Sequence, residues 1–175
     1  FLLLCTMIVL SFLGIILFDI FVKGTGSVSL NFISEYPLKG MTKGGIYPAI
    51  IGTFLVTIVT ALFSIPLGIA CAIYLQEYAA NNWLTQLVRA SIRNLAGIPS
   101  IIYGLFGVAI FVQALRMGTS VLSSGLTLGL LSLPYIITTT EEALKTVPNT
   151  LREGALALGS TQWETIWRIV LPSAI

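Results

Sequence analysis

The sequence lacks histidine and is poor in both cysteine and charge. Charged residues make up 9% of its 175 positions, whereas a soluble domain carries about 25%. A chain with so few charges and 56% hydrophobic residues cannot present a normal wetted surface, so we expect it to lie in a lipid bilayer. Its two cysteines, Cys5 and Cys71, sit singly in apolar runs. Without histidine or a cysteine cluster, the usual zinc and iron ligand patterns are missing, and no metal site is predicted.

Motifs for catalysis and for nucleic-acid binding are also missing. The chain has no phosphate-binding P-loop and no GxSxG nucleophile motif, so it is not expected to hydrolyse nucleotides or to act as a serine hydrolase. The net charge of +2 is small and there is no basic run, so nucleic acid is not an expected partner. The apolar segments carry almost no ionisable side chains, unlike those of a membrane enzyme. We therefore predict a membrane protein that is not an enzyme.

Four apolar segments are long enough to cross a hydrocarbon core of about 30 Å. They cover residues 1–22, 46–75, 95–115 and 120–139. Because lipid cannot satisfy backbone hydrogen bonds, we predict an all-α, polytopic helix bundle that forms one membrane domain over residues 1–175. The first segment is too long for a signal-peptide core and is predicted to be a spanning helix. Since the chain starts without methionine and stops soon after residue 172, we expect it to be a fragment.

Glycines, prolines and hydroxyl groups punctuate the spans. Gly125 and Gly129 make a GxxxG pair, which lets a neighbouring helix approach closely. Pro66 and Pro134 each interrupt a span, and each can mark either a transport hinge or a static bend. For the hydroxyl groups near the inner end of the fourth span, we favour local bonding to the helix backbone over a role in lining a pathway. These groups belong to Ser132, Tyr135, Thr138, Thr139 and Thr140.

The segments between the spans suggest which side of the membrane they face. Residues 76–94 are predicted to form an interfacial helix, and Glu141 and Glu142, just past the fourth span, are expected to stay solvated. Four spans place the N-terminus and residues 141–172 on the same side. Lysine and arginine counts favour the cytoplasm for that side only slightly, so the positive-inside rule supports this orientation without deciding it.

Residues 150–172, which we call the elbow, form a long polar-bearing segment with dense helix signals. Thr150 and Glu153 have the spacing of a capping box, in which each residue bonds to the backbone of the other. The same spacing recurs at Thr161 and Glu164. Gly159, between the two boxes, fits the left-handed C-terminal cap of the first helix. The elbow is therefore predicted to be two helices joined at a glycine, with both glutamates acting mainly as caps.

The second helix of the elbow carries a bulky apolar face. Trp163, Ile166, Trp167 and Val170 recur at helical spacing. Large rigid side chains of this kind dominate the energy of many interfaces, so we predict that Trp163, Ile166 and Trp167 are anchors for a groove on a partner. Pro172 either ends this pattern or starts the next element.

The elbow resembles the EAA loop of permease subunits of ABC-type importers, written EAA-x3-G-x9-I-x-LP. Six positions match that pattern, namely Glu153, Ala155, Gly159, Ile169, Leu171 and Pro172. Gly154 departs from it, since the family usually has alanine there and glycine costs a helix about 1 kcal/mol. The alternative interpretation is a chance match on a surface amphipathic hairpin.

The resemblance implies the fold of a type I ABC importer permease, cut after a cytoplasmic coupling loop over residues 141–172. In that family the loop docks into an ATP-hydrolysing subunit, so ATP and Mg²⁺ are expected on the partner and no cofactor is expected on this chain. The residues expected to act in coupling are Glu153, Gly154, Ala155, Gly159, Trp163, Ile166, Trp167, Ile169, Leu171 and Pro172.

Two longer stretches, residues 94–107 and 131–159, resemble the PstA-type permease of the ABC phosphate importer. This resemblance implies ATP-driven phosphate import across a prokaryotic plasma (inner) membrane. It also implies a PstC-type permease, two ATPase subunits and an extracytoplasmic phosphate-binding protein as partners. A permease for another solute, such as phosphonate or sulfate, stays open, and so does a channel or membrane scaffold without ATP coupling. No substrate-binding residue is assigned.

Overall fold

A computed structural model describes residues 2–26, 28–40 and 42–174. Within them the regular secondary structure is helical apart from one short hairpin, which confirms the all-α prediction. The chain divides into two compact units, Phe1–Thr53 and Phe54–Ile175. Phe1 and Ile175, the two ends of the predicted membrane domain, lie outside the described residues, as do Ser27 and Met41.

The helices follow one another closely along the chain. The α-helices are α1 (Leu2–Thr25), α2 (Leu30–Ser34), α3 (Tyr47–Ile73), α4 (Trp83–Ala96), α5 (Ser100–Gly107), α6 (Val121–Thr146), α7 (Asn149–Ala157), α8 (Gln162–Thr165) and α9 (Leu171–Ala174). In the described part of the chain, three π-helices continue α3, α5 and α8, and they are π1 (Tyr74–Tyr78), π2 (Val108–Ala114) and π3 (Ile166–Val170). The strands are β1 (Pro37–Leu38) and β2 (Lys43–Gly44). Wide π-turns of this kind are frequent at functional sites.

The first unit combines a long apolar helix with a small polar connection. α1 has no buried residue. Asp19 pairs with Lys23 one turn later at 2.8 Å, on exposed surface. In the connection, the Ser29 hydroxyl caps α2, and β1 pairs antiparallel with β2 so that Pro37 lies opposite Gly44. α1 therefore presents apolar surface, whereas the connection exposes both polar and apolar side chains, among them Leu30 and Leu38.

Three described helices are long and apolar enough to cross a membrane, namely Leu2–Thr25, Tyr47–Tyr78 and Val121–Thr146. They correspond to the first, second and fourth predicted spans, although the last one ends at Thr146 rather than at residue 139. Pro66 and Pro134 both lie inside helices. Their positions fit a hinge and a static bend equally, so that alternative stays open.

The third predicted span differs from the structure at its start. α4, the predicted interfacial helix, continues to Ala96, and α5 begins at Ser100 after a bend of 98°. Pro99 explains the break, because it has no N–H to continue a helix and forces the preceding residue towards extended backbone. α5 has eight residues and π2 has seven, which makes about 22 Å of helix against a core of about 30 Å. A fourth crossing therefore requires the bent pair to act as one span, and the count of four stays a prediction.

Glycines on α6 let it pack closely against α3. A Cβ atom on Gly125 would lie 2.5 Å from Cγ1 of Val59, and one on Gly129 would lie 2.5 Å from Cδ1 of Phe63. Both distances are too short for real carbon contacts, so these sites accept only glycine without movement of their neighbours. The Thr60 hydroxyl also donates to the Gly125 carbonyl at 3.1 Å. The predicted role of the GxxxG pair in close helix approach is confirmed.

α3 and α6 run in the same direction, whereas the segment formed by α5 and π2 runs in the opposite direction. Further along both helices, Gly68 lies against Ile136, where an added Cβ would be 2.6 Å from Cγ2. Residue numbers at these contacts therefore increase in the same direction along both helices, which means that the helices are parallel. By contrast, residues 102–106 line a cavity with residues 130–137, whereas residues 104–112 line another with residues 119–128, so this arm is antiparallel to α6. The arrangement brings the C-terminal ends of α3 and α6 together.

Candidate functional site

The elbow follows directly from the end of α6 and forms the predicted pair of helices joined at a glycine. Gly159 has φ +89°, a left-handed conformation that glycine adopts without steric cost. Its N–H donates to the Leu156 carbonyl at 3.0 Å, and the Ser160 N–H donates to the Ala155 carbonyl at 3.2 Å. These two bonds make a Schellman cap, which ends α7 and turns the chain. The predicted cap at Gly159 is confirmed.

One of the two predicted capping boxes forms. The Thr161 hydroxyl accepts from the Glu164 backbone N–H at 3.3 Å, and the Glu164 carboxylate accepts from the Thr161 N–H at 3.0 Å. Hydrogen bonds from the Thr161 backbone and hydroxyl lower the pKa of Glu164, because they favour the ionised form. The contact is therefore present at neutral pH and is lost as the pH falls through this lowered pKa.

The other predicted box, between Thr150 and Glu153, is wrong. α7 begins at Asn149, with Pro148 at the cap position and no side-chain cap. Pro148 has φ −60°, and this fixed angle suits the start of a helix, so the helix begins before Thr150 can cap it. Glu153 is exposed on α7 and does not cap the helix.

The predicted apolar face of the second helix divides into an outer and an inner pair. The side chains of Trp163 and Trp167 are 59% and 53% exposed, and their rings meet edge to face with centroids 5.4 Å apart. Ile166 and Val170 are 1% and 0% exposed. Ile166 is therefore covered within this chain and does not present a free anchor for a partner. The helix changes from α8 to π3 at this point, and a π-helix has more residues per turn than the α-helix assumed from the sequence. Side chains after Thr165 therefore point in directions that differ from the predicted ones.

The remaining predicted coupling residues lie on both sides of the elbow. Ala155 is buried, whereas Ile169 and Leu171 are half-buried. Glu153, Gly154, Gly159 and Pro172 are exposed. Pro172 lies in the first turn of α9, so it starts the next element instead of ending the helical run. The exposed set and the tryptophan pair together form the part of the elbow that a partner can reach.

Arg152 fastens the elbow to the bundle and uses all five of its N–H donors, the full complement of a guanidinium. Nε and Nη2 donate to the two carboxylate oxygens of Glu77 at 3.2 and 2.9 Å. Nη1 donates to the Val147 carbonyl at 2.6 Å and to Oδ1 of Asn149 at 3.1 Å. Nη2 donates a second bond, to the Leu144 carbonyl at 2.8 Å. Arg152 thus closes the C-terminal end of α6 and binds the end of α3 at the same time.

Glu77 receives contacts from both helices of the elbow. It lies in π1, beyond the end of α3, and its side chain is 9% exposed. Besides its carboxylate bonds to Arg152 on α7, its backbone carbonyl accepts from Nε2 of Gln162 on α8 at 2.8 Å. The sequence reading missed this site, because Glu77 and Arg152 are 75 positions apart and no local pattern joins them.

A second buried ion pair lies at the same end of the bundle. Arg89 on α4 pairs with Glu141 on α6 and also donates to the Leu75 carbonyl. The expectation that Glu141 stays solvated is wrong, because its side chain is only 8% exposed. α6 continues past the predicted end of the span, and Glu141 stays on its inner face one turn after the buried Ile137. Glu142 is exposed, as expected.

The hydroxyl groups of α6 bond mainly within the helix. Ser132, Thr138 and Thr139 donate to backbone carbonyls three or four residues earlier, which agrees with the preferred interpretation. Tyr135 differs, since its hydroxyl donates at 2.9 Å to the Ala96 carbonyl at the end of α4. Among residues 2–26, 28–40 and 42–174, no group of three or more His, Cys, Asp or Glu could hold a metal ion. No substrate site emerges from these side chains.

α3 and α6 run parallel with buried charges at their C-terminal ends, and helices of this length and apolar composition are those of a multi-spanning membrane protein. The family described as "binding-protein-dependent transport system inner membrane component" matches residues 64–175. The chain belongs to that family. Membership confirms the resemblance to ABC importer permeases, and the EAA pattern of the elbow is in keeping with it.

Individual relatives agree with this placement. The chain is 34% identical to "probable ABC transporter permease protein YqgI" of Bacillus subtilis, over 98% of this chain and 58% of that protein. It is 37% identical to "phosphate transport system permease protein PstA" of Pasteurella multocida, over 96% of this chain and 63% of that protein. The chain therefore spans little more than half the length of these relatives.

One solved structure shares the fold. A chain of the MetNI methionine ABC transporter, in an inward-facing conformation, superposes with a TM-score of 0.58 at 22% identity. The match covers 74% of this chain and 61% of that chain. At this identity the likeness shows the fold alone, which agrees with the predicted type I permease architecture.

Proposed function

We propose that this chain is a membrane permease subunit of an ATP-driven phosphate importer and forms part of its translocation pathway. The family supports a role in transport, and the PstA relative of Pasteurella multocida supports phosphate as the solute. The proposed partners are ATP-hydrolysing subunits, a PstC-type permease and an extracytoplasmic phosphate-binding protein in a prokaryotic plasma membrane. ATP and Mg²⁺ then bind the ATPase, and this chain carries no cofactor of its own.

The observation that carries the coupling role is the exposed tryptophan pair of the elbow. Trp163 and Trp167 expose more than half of their surface, and Leu158, beside the Gly159 turn, is 90% exposed. Large apolar side chains grouped on a polar segment are typical of a protein interaction site. The same segment is bound to the ends of α3 and α6. A partner that binds the two tryptophans can therefore move these two helices.

Two substitutions test the elbow, and we expect each to abolish uptake while membrane insertion is retained. Trp163→Asp places a charge on the exposed aromatic face. Gly159→Pro cannot adopt φ +89° and removes the N–H that bonds to Leu156. Trp83→Asp is the matched control, because Trp83 is 70% exposed at the first turn of α4, where a negative charge suits the helix dipole. Normal uptake in both elbow variants would remove the elbow from the mechanism.

Labelled phosphate uptake tests the solute. The complete transporter that contains this chain would be expressed in phosphate-starved cells that lack their own importer. Excess unlabelled sulfate or phosphonate would be added as competitor. We expect ATP-dependent phosphate uptake that resists both competitors. Loss of uptake to one competitor would reassign the solute, and uptake that does not depend on ATP would favour a channel.

A further inference from the structure

The contact between Glu77 and the elbow differs from the apolar packing around it. Leu144, Val147 and Val170 form a buried cluster with Ile73, at the end of α3, packed against it. Such apolar contacts are non-directional, so they hold surfaces together without fixing one orientation. Glu77 instead accepts three hydrogen bonds from the elbow, two from Arg152 and one from Gln162.

The geometry of these bonds fixes the elbow in position and angle. A guanidinium that grips a carboxylate with two parallel bonds sets both distance and orientation. The side chains of Arg152 and Glu77 are 16% and 9% exposed, so water competes with them little. Since the remaining donors of Arg152 are held by Leu144, Val147 and Asn149, the side chain cannot rotate without losing several bonds together.

The pair between Arg89 and Glu141 provides an internal contrast. It lies at the same end of the bundle and is similarly buried, with side chains 21% and 8% exposed. It joins α4 to α6, and Arg89 also donates to the Leu75 carbonyl of π1, but neither side chain bonds to the elbow. If burial of charge alone mattered, the two pairs would have the same effect on transport.

We infer that Glu77 and Arg152 are positioning residues that link the elbow to the end of α3. When the elbow moves, this pair makes the end of α3 move with it. This inference rests on the proposed function, in which an ATPase moves the elbow. Without the pair, the elbow stays attached to α6 through the chain and through apolar contacts, but its motion reaches α3 less completely. The consequence is that ATP is hydrolysed with less solute moved.

The test uses the complete transporter in phospholipid vesicles and measures phosphate accumulated per ATP hydrolysed. Arg152→Lys keeps the charge but removes the two-pronged grip, and Glu77→Gln keeps the shape but removes the charge. We expect each to lower this ratio about fivefold or more, the scale of a typical coupling energy between sites. The double variant should be no worse than either single variant, because both act through one interaction. Glu141→Gln is the matched control and should keep the parental ratio.

A second measurement reports the same link without any solute. Hydrogen exchange of the backbone amides is followed with and without a non-hydrolysable ATP analogue. In the parent we expect changes in both the elbow and residues 74–78. In Arg152→Lys we expect the change in the elbow to remain and the change in residues 74–78 to be lost.

The outcomes separate this inference from the proposed function. Assembled Arg152→Lys and Glu77→Gln complexes that keep the parental ratio and the nucleotide response of residues 74–78 would overturn the inference. A lower ratio in Glu141→Gln of the same size would overturn it as well, since any buried pair would then suffice. No phosphate uptake by the parent would refute the solute, and the exchange measurement would then decide the inference. No nucleotide response in the parental elbow would refute both.

Discussion

Helices α3 and α6 meet in two chemically different ways along their length. In their middle, glycines bring the backbones together, as at Gly125 against Val59 and Gly129 against Phe63. At their C-terminal ends, two arginines hold two buried carboxylates, and one of these arginines belongs to the elbow. The first region is nearly free of charge, whereas the second concentrates the buried charges of the second unit.

The two regions have different roles. The glycine region holds the helices together, whereas the polar end determines how they move relative to each other. In lipid there is little hydrophobic drive between helices, so close packing at small residues supplies association. Packing of this kind tolerates small sliding motions, whereas a charged, two-pronged hydrogen bond is lost when its partners turn. We therefore expect changes in the glycine region to affect assembly and changes at either ion pair of the polar end to affect stability, whereas coupling should change only at the pair between Glu77 and Arg152, which reaches the elbow.

The largest effect is expected when an arginine is removed from the polar end. Arg152→Met leaves the Glu77 carboxylate buried and unpaired, and loss of one partner of a buried pair costs about 3–5 kcal/mol. Arg89→Met should cost a similar amount, because it leaves Glu141 in the same condition. Unfolding of the purified chain in mixed detergent micelles measures both. A cost near zero for either variant would show that its carboxylate finds water or another donor.

An intermediate effect is expected in the glycine region. Gly125→Ala adds a Cβ 2.5 Å from Val59 Cγ1, and overpacking of this kind costs about 1–3 kcal/mol. The control is Gly104→Ala on α5, where nothing lies within 4 Å of the added atom. The same unfolding measurement should find the control neutral or slightly stabilising. Equal effects at the two sites would mean that close approach to α3 is not what Gly125 provides.

The smallest effect is expected on the exposed face of the elbow. An added Cβ on Gly154 meets nothing within 4 Å, and alanine improves a helix by up to about 1 kcal/mol. Gly154→Ala should therefore slow hydrogen exchange in α7 by up to about fivefold and leave the phosphate-to-ATP ratio unchanged. Faster exchange would show that Gly154 has a conformational role that its open surroundings do not reveal.

Local signals in the sequence predicted local structure well. Gly159 and the box between Thr161 and Glu164 were predictable, because each is decided by neighbours within a few residues. The failed box at Thr150 is also local, but Pro148 starts the helix earlier. The bend before Ser100 was missed because hydropathy stays high through Pro99, although proline there breaks the helix.

Long-range polar contacts could not be predicted in the same way. Arg152 reaches Glu77 across 75 positions, and the pairing depends on α3 and α6 running parallel with their ends together. Glu141 is buried only because α6 extends past the apolar run and α4 folds back beside it. The sequence shows that charged residues follow the apolar segments. Which arginine pairs with which glutamate, however, depends on how the helices pack in the fold.

A photo-crosslinking measurement tests the central claim, that the elbow is the surface gripped by an ATPase. A benzophenone amino acid is placed at Trp163 in the assembled transporter, with Trp83 as the matched exposed control site. We expect a covalent adduct with the ATPase subunit from position 163 and none from position 83. An assembled transporter that gives no ATPase adduct from position 163 would contradict the account.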